Sequence, residues 1–313
     1  MTLNPQAAAL LQQGAESGAP TLDAGTPDEG RAVFLAMTGQ VGLPPVEVAQ
    51  IREIQIPGPN GDIRSLVITP NNAGDGPLPV LIYYHGGGWV IGCPESHNSE
   101  TRFYADAAKC VVVVPDYRLS PEHKFPAAPE DCYAVLEWVA ANGDAINGDP
   151  SRIAVGGDSA GGNLSAVVAQ MTRERGGPAI SLQVLVYPAT DMSQDSESYE
   201  SNKDGYFLTG EMMAWFRKHY LLGPSDIKDT RASPLLAQDF SGLAPALVMT
   251  AGYDPLRDEG DAYADRLKSA GVAVEHIKYP GQIHGFVSMA GVIDEGREFL
   301  ERAAKALRQA FGN

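Results

Sequence analysis

The sequence predicts an α/β fold in which a mostly parallel sheet is covered by helices on both faces. Over most of the 313 residues, short apolar runs rich in β-branched residues alternate with helix-like segments, a pattern typical of repeated βαβ units. A hairpin signal precedes this alternation, and one long insertion interrupts it. The apolar fraction of 44% is enough for a chain of this length to bury a sizeable core.

The predicted elements follow one another in the order that such a sheet requires. Two alternating apolar and polar segments flank Asn60-Gly61 and predict an antiparallel hairpin. Strands are then predicted at 78–84, 110–115, 152–156, 182–187, 245–251 and 272–279. Helices are predicted at 98–109, 127–142, 160–175, 259–270 and 291–311.

Two segments lie outside this alternation and predict a cap over the sheet. Residues 1–45 carry helical signal at 5–15 and 27–37, and the insertion at about 190–243 carries an amphipathic helix signal. Long insertions in α/β folds are usually lids. We therefore expect an N-terminal cap segment at 1–45 and a main domain at 46–313 that contains the cap insertion.

Composition excludes several classes of function. The net charge of −16 would repel nucleic acid and anionic membrane surfaces, so neither is an expected partner. Three scattered cysteines, Cys93, Cys110 and Cys132, predict neither a disulfide framework nor a metal site. The first residues lack a basic region, and no apolar run is long enough to span a bilayer, so we expect neither a signal peptide nor a membrane span. We expect a cytoplasmic protein that acts on a small molecule and needs no metal or cofactor.

The segment AVGGDSAGGN (154–163) places Ser159 at the joint between a predicted strand and a predicted helix. Gly157 and Gly161 complete the pattern G-x-S-x-G, in which small residues permit a sharp turn. Such a turn lifts the serine hydroxyl above the sheet edge at a helix N-terminus, where developing negative charge is favoured. Ser159 is therefore a candidate nucleophile, although a glycine-rich turn can also serve close packing.

A serine nucleophile needs a histidine base and a carboxylate that orients this base. Of the six histidines, only His284 falls in a loop between the last strand and the last helix, at the sheet edge expected for Ser159. Asp254 directly follows a strand and is the preferred carboxylate, with Asp191 as its rival. Asp116 precedes the serine in the chain, and a turn or cap role suits it better.

The glycines of HGGGW (85–89) are candidate donors to a tetrahedral oxyanion. Gly86, Gly87 and Gly88 follow a predicted strand and leave their backbone N–H groups unobstructed by side chains. The N–H of Ala160, just after the serine, adds a second donor site. A phosphate-binding loop is the alternative, but the pattern G-x-x-x-x-G-K-[ST] is absent.

Five motifs together resemble the bacterial hormone-sensitive-lipase family of α/β-hydrolase esterases and follow the order found in that family. They are HGGGW (85–89), VVVVPDYRLSPEHKFPAAPED (111–131), GDSAGG (157–162), DPLRDE (254–259) and HGF (284–286). The resemblance runs from about residue 50 to the C-terminus. It implies an α/β-hydrolase catalytic domain with a helical cap, and frequent homodimers.

The same resemblance implies hydrolysis of carboxylic esters through an acyl-enzyme. It assigns the nucleophile to Ser159, the base to His284 and the acid to Asp254. The oxyanion donors fall on the HGGGW glycines and on Ala160. The resemblance also implies a preference for short to medium acyl chains, roughly four to eight carbons, and a bounded apolar pocket would make the preference fall for longer chains.

Two other kinds of function stay open. An amidase, a thioesterase or a deacetylase would share the triad and the tetrahedral chemistry. A non-catalytic receptor for a small ligand, as among plant hormone receptors of similar sequence, would have lost catalytic residues. The presence of His284 argues against the receptor.

Overall fold

Eight strands form one sheet in the computed structural model, which describes residues 2–72, 74 and 76–312. They are β1 (Gln50–Gly58), β2 (Gly61–Thr69), β3 (Leu78–Tyr84), β4 (Val111–Pro115), β5 (Gly148–Asp158), β6 (Leu182–Val186), β7 (Ala246–Tyr253) and β8 (Val274–Ile283). The spatial order is β1-β2-β4-β3-β5-β6-β7-β8. Strand β2 runs antiparallel to β1 and β4, and the other neighbouring pairs are parallel. The predicted α/β class and the hairpin are confirmed.

Helices cover both faces of this sheet. They are α1 (Pro5–Ser17), α2 (Pro27–Val41), α3 (Asn98–Ala108), α4 (Ala127–Asn142), α5 (Ala160–Arg175), α6 (Glu197–Asn202), α7 (Gly210–Tyr220), α8 (Arg257–Ser269) and α9 (Asp294–Phe311). Helices α4, α5 and α8 pack on one face, and α3 and α9 pack on the other. No helix in the described part of the chain combines the length and apolar character that a membrane crossing requires.

Strand β7 illustrates why the central strands are apolar throughout. Val248 belongs to a buried cluster with Tyr263 of α8, whereas Leu247 and Met249 belong to a cluster with Phe299 of α9. Successive side chains of a strand point to opposite faces. Because helices cover both faces, every position of such a strand has to be apolar, and the alternation of an exposed strand is lost.

Strand β5 is longer than the sequence predicts, and the difference positions the site. The prediction ends at residue 156, whereas β5 continues to Asp158. Gly156 and Gly157 are weak strand formers, but they lie between β3 and β6 and pair with Val184 and Leu185. Parallel pairing on both sides thus carries the strand up to the residue before Ser159.

The N-terminal segment divides into two parts with different positions. Helix α1 begins after Asn4, whose side chain caps it and whose N–H donates to the carbonyl of Gly281 at 2.8 Å. It thus packs beside the end of β8, and Ala7 is buried there. Helix α2 begins at a capping box formed by Thr26 and Glu29 and reaches the edge of the sheet where Ser159 lies.

Candidate active site

Ser159 occupies a strained turn between β5 and α5. Its φ of 55° and ψ of −116° place its backbone in a region that residues other than glycine rarely adopt. The Ser159 N–H donates to the carbonyl of Val186 at 2.9 Å, which ties the turn to the next strand. A Cβ atom at Gly157 or Gly161 would overlap the carbonyl oxygen of Tyr84. Both glycines of G-x-S-x-G are therefore required by the close approach of β3.

His284 bridges the serine and a buried carboxylate. Its Nε2 lies 2.9 Å from Ser159 Oγ, and its Nδ1 lies 2.7 Å from Asp254 Oδ2. The second carboxylate oxygen, Oδ1, accepts the N–H of Leu256 at 2.8 Å. Asp254 is fully buried, whereas Ser159 stays partly exposed. With Nδ1–H directed at the carboxylate, Nε2 is free to accept the serine proton.

The two rival aspartates have other partners. Asp191 Oδ1 accepts the N–H of Ser193 at 2.9 Å, which closes a local turn. Asp116 Oδ2 pairs with Arg64 at 3.1 Å. The structure therefore brings Asp254 to the histidine and leaves both rivals in structural contacts.

Two glycines of HGGGW line the cavity that contains Ser159. These two, Gly87 and Gly88, have φ values of 116° and 58°, which favour glycine. Among the residues that the structure describes, neither amide has a hydrogen-bond acceptor. Ala160 is the first residue of α5, so its amide has no acceptor within the helix. These three N–H groups remain the candidate oxyanion donors.

Gly86 departs from the sequence prediction, which placed it among these donors. Its N–H donates to Oδ1 of Asp158 at 2.9 Å, so this amide is already used inside the protein. A Cβ atom on Gly86 would collide with the same carboxylate. The reason is that Gly86 lies beside the end of β5, where the carboxylate of Asp158 contacts the loop that follows β3.

Sequence reasoning missed the residues that support this loop. His85 is fully buried and stacks on Tyr117, with ring centroids 4.3 Å apart. The Tyr117 hydroxyl donates to the carbonyl of His85 at 2.7 Å. Burial and the nearby charge of His97 lower the pKa of His85 to about 3, so the ring is neutral. Tyr117 lies in the motif at 111–131. Its place in that motif is the only sequence signal that points to this supporting role.

A mostly apolar cavity opens onto Ser159. Phe216 of α7 lies over Gly88, and Phe207 lies over Gly285. Both cap segments contribute to the walls, which include Phe34, Met37, Phe207, Leu208, Met212 and Phe216. Such a cavity favours an uncharged, apolar ligand.

Specific contacts hold α2 and α7 to the candidate oxyanion loop (residues 86–92), which follows β3. Arg31 of α2 donates to the carbonyl of Val90 at 2.9 Å and pairs with Glu122 at 2.7 Å. Trp89 stacks on Tyr220 of α7, with centroids 4.3 Å apart and an interplanar angle of 6°. These contacts connect the cavity walls to the glycines that line the same cavity.

Known proteins share this architecture over almost the whole chain. The family model for the alpha/beta hydrolase fold matches residues 81–288. Carboxylic ester hydrolase LipN of Mycobacterium tuberculosis is 44% identical over 266 residues, which cover 83% of this chain and 69% of LipN. Carboxylesterase NlhH of the same organism is 41% identical over 293 residues, 91% of each chain. The structure of ester hydrolase EH1AB1 from the metagenome of Lake Arreo, complexed with a bipyridine phosphonate derivative, has a TM-score of 0.96 at 43% identity and covers 100% of both chains.

Proposed function

Because this chain belongs to the α/β-hydrolase fold family and is a carboxylic ester hydrolase, we propose that it cleaves esters through an acyl-enzyme on Ser159. The observation that carries the proposal is the continuous contact from Asp254 through His284 to Ser159 Oγ, with distances of 2.7 Å and 2.9 Å. Such a relay is the arrangement that converts a weakly nucleophilic hydroxyl into an attacking group.

In the acylation step, Ser159 Oγ attacks the ester carbonyl carbon while His284 Nε2 takes the hydroxyl proton. The buried carboxylate of Asp254 stabilises the imidazolium that forms. Negative charge develops on the carbonyl oxygen, and the amides of Gly87, Gly88 and Ala160 stabilise it. When the tetrahedral intermediate collapses, the proton passes from His284 to the leaving oxygen and the alcohol departs.

In the deacylation step, water takes the place of the alcohol. His284 removes a proton from the water, which attacks the acyl carbon, and the same amides stabilise the second oxyanion. Collapse of this intermediate breaks the bond to Ser159 Oγ, which regains its proton from His284. The carboxylic acid is released, and the resting state is restored.

We further propose that the substrates are uncharged esters of short to medium acyl chains. The cavity at Ser159 is bounded by apolar side chains of both cap segments. Each methylene that it buries adds about 0.8 kcal/mol of affinity until the space is filled. The esterase activities of the relatives favour this substrate class over amides and thioesters.

Substitution of the nucleophile tests the proposal directly. We expect Ser159→Ala to lower kcat for 4-nitrophenyl butyrate about 10⁴-fold or more, as losses from such triads do. Ser165→Ala is the matched control, because among the described residues this buried hydroxyl on the same helix bonds only to the carbonyl of Gly161, at 2.9 Å. It should keep kcat within about threefold.

Covalent labelling gives an independent readout. A fluorophosphonate should form one adduct with the wild-type protein, and peptide mass spectrometry should locate it on Ser159. EH1AB1 was solved with a phosphonate derivative, which supports the choice of reagent. Near-normal turnover in a folded Ser159→Ala protein, or an adduct at another residue, would contradict the proposal.

A further inference from the structure

A buried ion pair lies directly behind the oxyanion loop. His97, the residue before α3, is fully buried, and its Nε2 lies 3.2 Å from Oδ1 of Asp158. The same oxygen accepts the N–H of Gly86 at 2.9 Å and the hydroxyl of Tyr83 at 3.1 Å. Asp158 immediately precedes Ser159 in the chain. One carboxylate oxygen therefore joins His97, the nucleophile turn and the first glycine of the oxyanion loop.

The surroundings keep this histidine charged. Burial opposes protonation, but the carboxylate of Asp158 outweighs it and raises the pKa of His97 to about 9. On the other side of the ring, Nδ1 has an acceptor in Ser96 Oγ at 2.9 Å. Glu100 of α3 is buried nearby, and this burial raises the pKa of its carboxyl.

Protonation of His97 determines which group accepts the hydrogen bond from the Gly86 amide. Nε2 of His97 also lies 3.2 Å from the Gly86 nitrogen. A protonated imidazole has no free lone pair and cannot accept a hydrogen bond. The amide of Gly86 therefore donates to Asp158, whose oxygen is in turn held by His97. These contacts fix the position of Gly86, the residue that begins the loop.

We propose that His97 and Asp158 are positioning residues for ester hydrolysis, because their ion pair holds Gly86 and so orients the amides of Gly87 and Gly88 toward the oxyanion. The inference rests on the proposed function. Consecutive glycines have little intrinsic preference for φ values of 116° and 58°, since glycine populates many backbone conformations. An external anchor is therefore needed to keep the donors in one orientation before the reaction begins.

Two substitutions of His97 separate positioning from packing. His97→Leu removes the donor to Asp158, and we expect kcat for 4-nitrophenyl butyrate to fall about 10²-fold or more, the scale of losing one oxyanion donor. KM should stay within about threefold, because the donors act mainly in the transition state. The amide of His97→Gln can still donate to Asp158, so this variant should recover kcat to within about tenfold of wild type.

Tyr104→Phe is the matched control. Tyr104 is buried on α3 near the same carboxylates, and its hydroxyl has no hydrogen-bond partner among the described residues. The variant should keep kcat within about threefold. Circular dichroism and thermal unfolding of each variant establish that it is folded. If His97→Leu does not fold, His97→Asn replaces it with the same expectation, because its shorter amide falls short of Asp158.

Two results would overturn the inference. One is a folded His97→Leu or His97→Asn protein with kcat within threefold of wild type. The other is a His97→Gln protein no more active than His97→Leu, since a retained hydrogen bond would then make no difference. A wild-type protein without Ser159-dependent esterase activity would instead defeat the proposed function. Activity that depends on Ser159 but not on His97 defeats this inference alone.

Discussion

Two aspartates in the site have different roles because each faces a different histidine. Asp254 contacts His284, which reaches the hydroxyl of Ser159. Asp158 contacts His97 and accepts the amide of Gly86. In the functions proposed above, the first pair transfers a proton and the second holds a segment of backbone. At the scale of single residues, the partner of a carboxylate therefore decides what it does.

The role of Asp254 can be tested against its rival in the sequence. Asp254→Asn should lower kcat about 10⁴-fold, because an amide cannot stabilise the imidazolium and favours the wrong tautomer. Asp191→Asn is the matched control, since Asp191 lies in a turn and bonds to Ser193, and its kcat should change less than about threefold. The measurement is steady-state kinetics on 4-nitrophenyl butyrate. A larger loss for Asp191→Asn than for Asp254→Asn would reverse the assignment.

At the scale of elements, the two N-terminal helices contribute in different ways. Helix α1 packs beside β8 through Asn4 and Ala7, whereas α2 supplies Phe34 and Met37 to the cavity. That residues 1–45 act as one cap unit stays a prediction. Helix α7, from the second cap segment, covers the cavity from above Gly88.

Phe216 of α7 should limit the length of the acyl chain. Removing its ring in Phe216→Ala enlarges the cavity next to Gly88, so each additional methylene can still gain about 0.8 kcal/mol. We expect kcat/KM across 4-nitrophenyl esters of two to about twelve carbons to reach its maximum at a longer chain than in wild type. Met213→Ala is the control: Met213 is buried on the same helix but does not line the cavity. An unchanged profile in Phe216→Ala would place the acyl chain elsewhere.

At the scale of the whole molecule, the order of the strands assembles the site. The loops after β3, β5, β7 and β8 carry Gly87, Ser159, Asp254 and His284, respectively. Because these strands are parallel, their carboxyl ends lie at one edge of the sheet. Residues far apart in the sequence meet there without any of them belonging to the same helix or strand.

The buried ion pair should also make global stability depend on pH. The pKa of His97 is raised from 6.5 to about 9. The contribution of its charge is therefore complete below about pH 6.5 and is lost as the pH rises through 9; the shift corresponds to on the order of 3 kcal/mol. Compared with His97→Gln, the wild-type free energy of unfolding in urea should fall more steeply between these pH values.

Comparing the wild-type protein with His97→Gln separates the titration of His97 from that of its neighbours. The titratable groups around it are Asp158, Glu100, His85, Tyr83 and Tyr104, and all of them are present in both proteins. Urea unfolding at pH 6.5, 7.5, 8.5 and 9.5, roughly spanning the expected window, would supply the curves. If the free energy of unfolding changes with pH in the same way in both proteins, His97 is not charged in the native protein.

Much of this protein could be predicted from local patterns. The α/β class, the hairpin, the order of strands and helices, and the α/β-hydrolase family are confirmed by the structure and the relatives. The glycine-rich end of β5 is longer than the sequence predicts, because residues such as Gly157 form strands only when neighbouring strands pair with them.

By itself, the sequence determined the class of fold, the family and the nucleophile turn, because each depends on residues that are contiguous in the chain. A turn such as G-x-S-x-G is encoded where it occurs. Only the tertiary structure decided that Asp254 rather than Asp191 faces His284, that Gly86 binds Asp158, and that His97 lies behind the loop. These contacts join residues 30, 72 and 11 positions apart. They form only once strand register and burial have set the distances between side chains and removed the water that would otherwise occupy their hydrogen bonds.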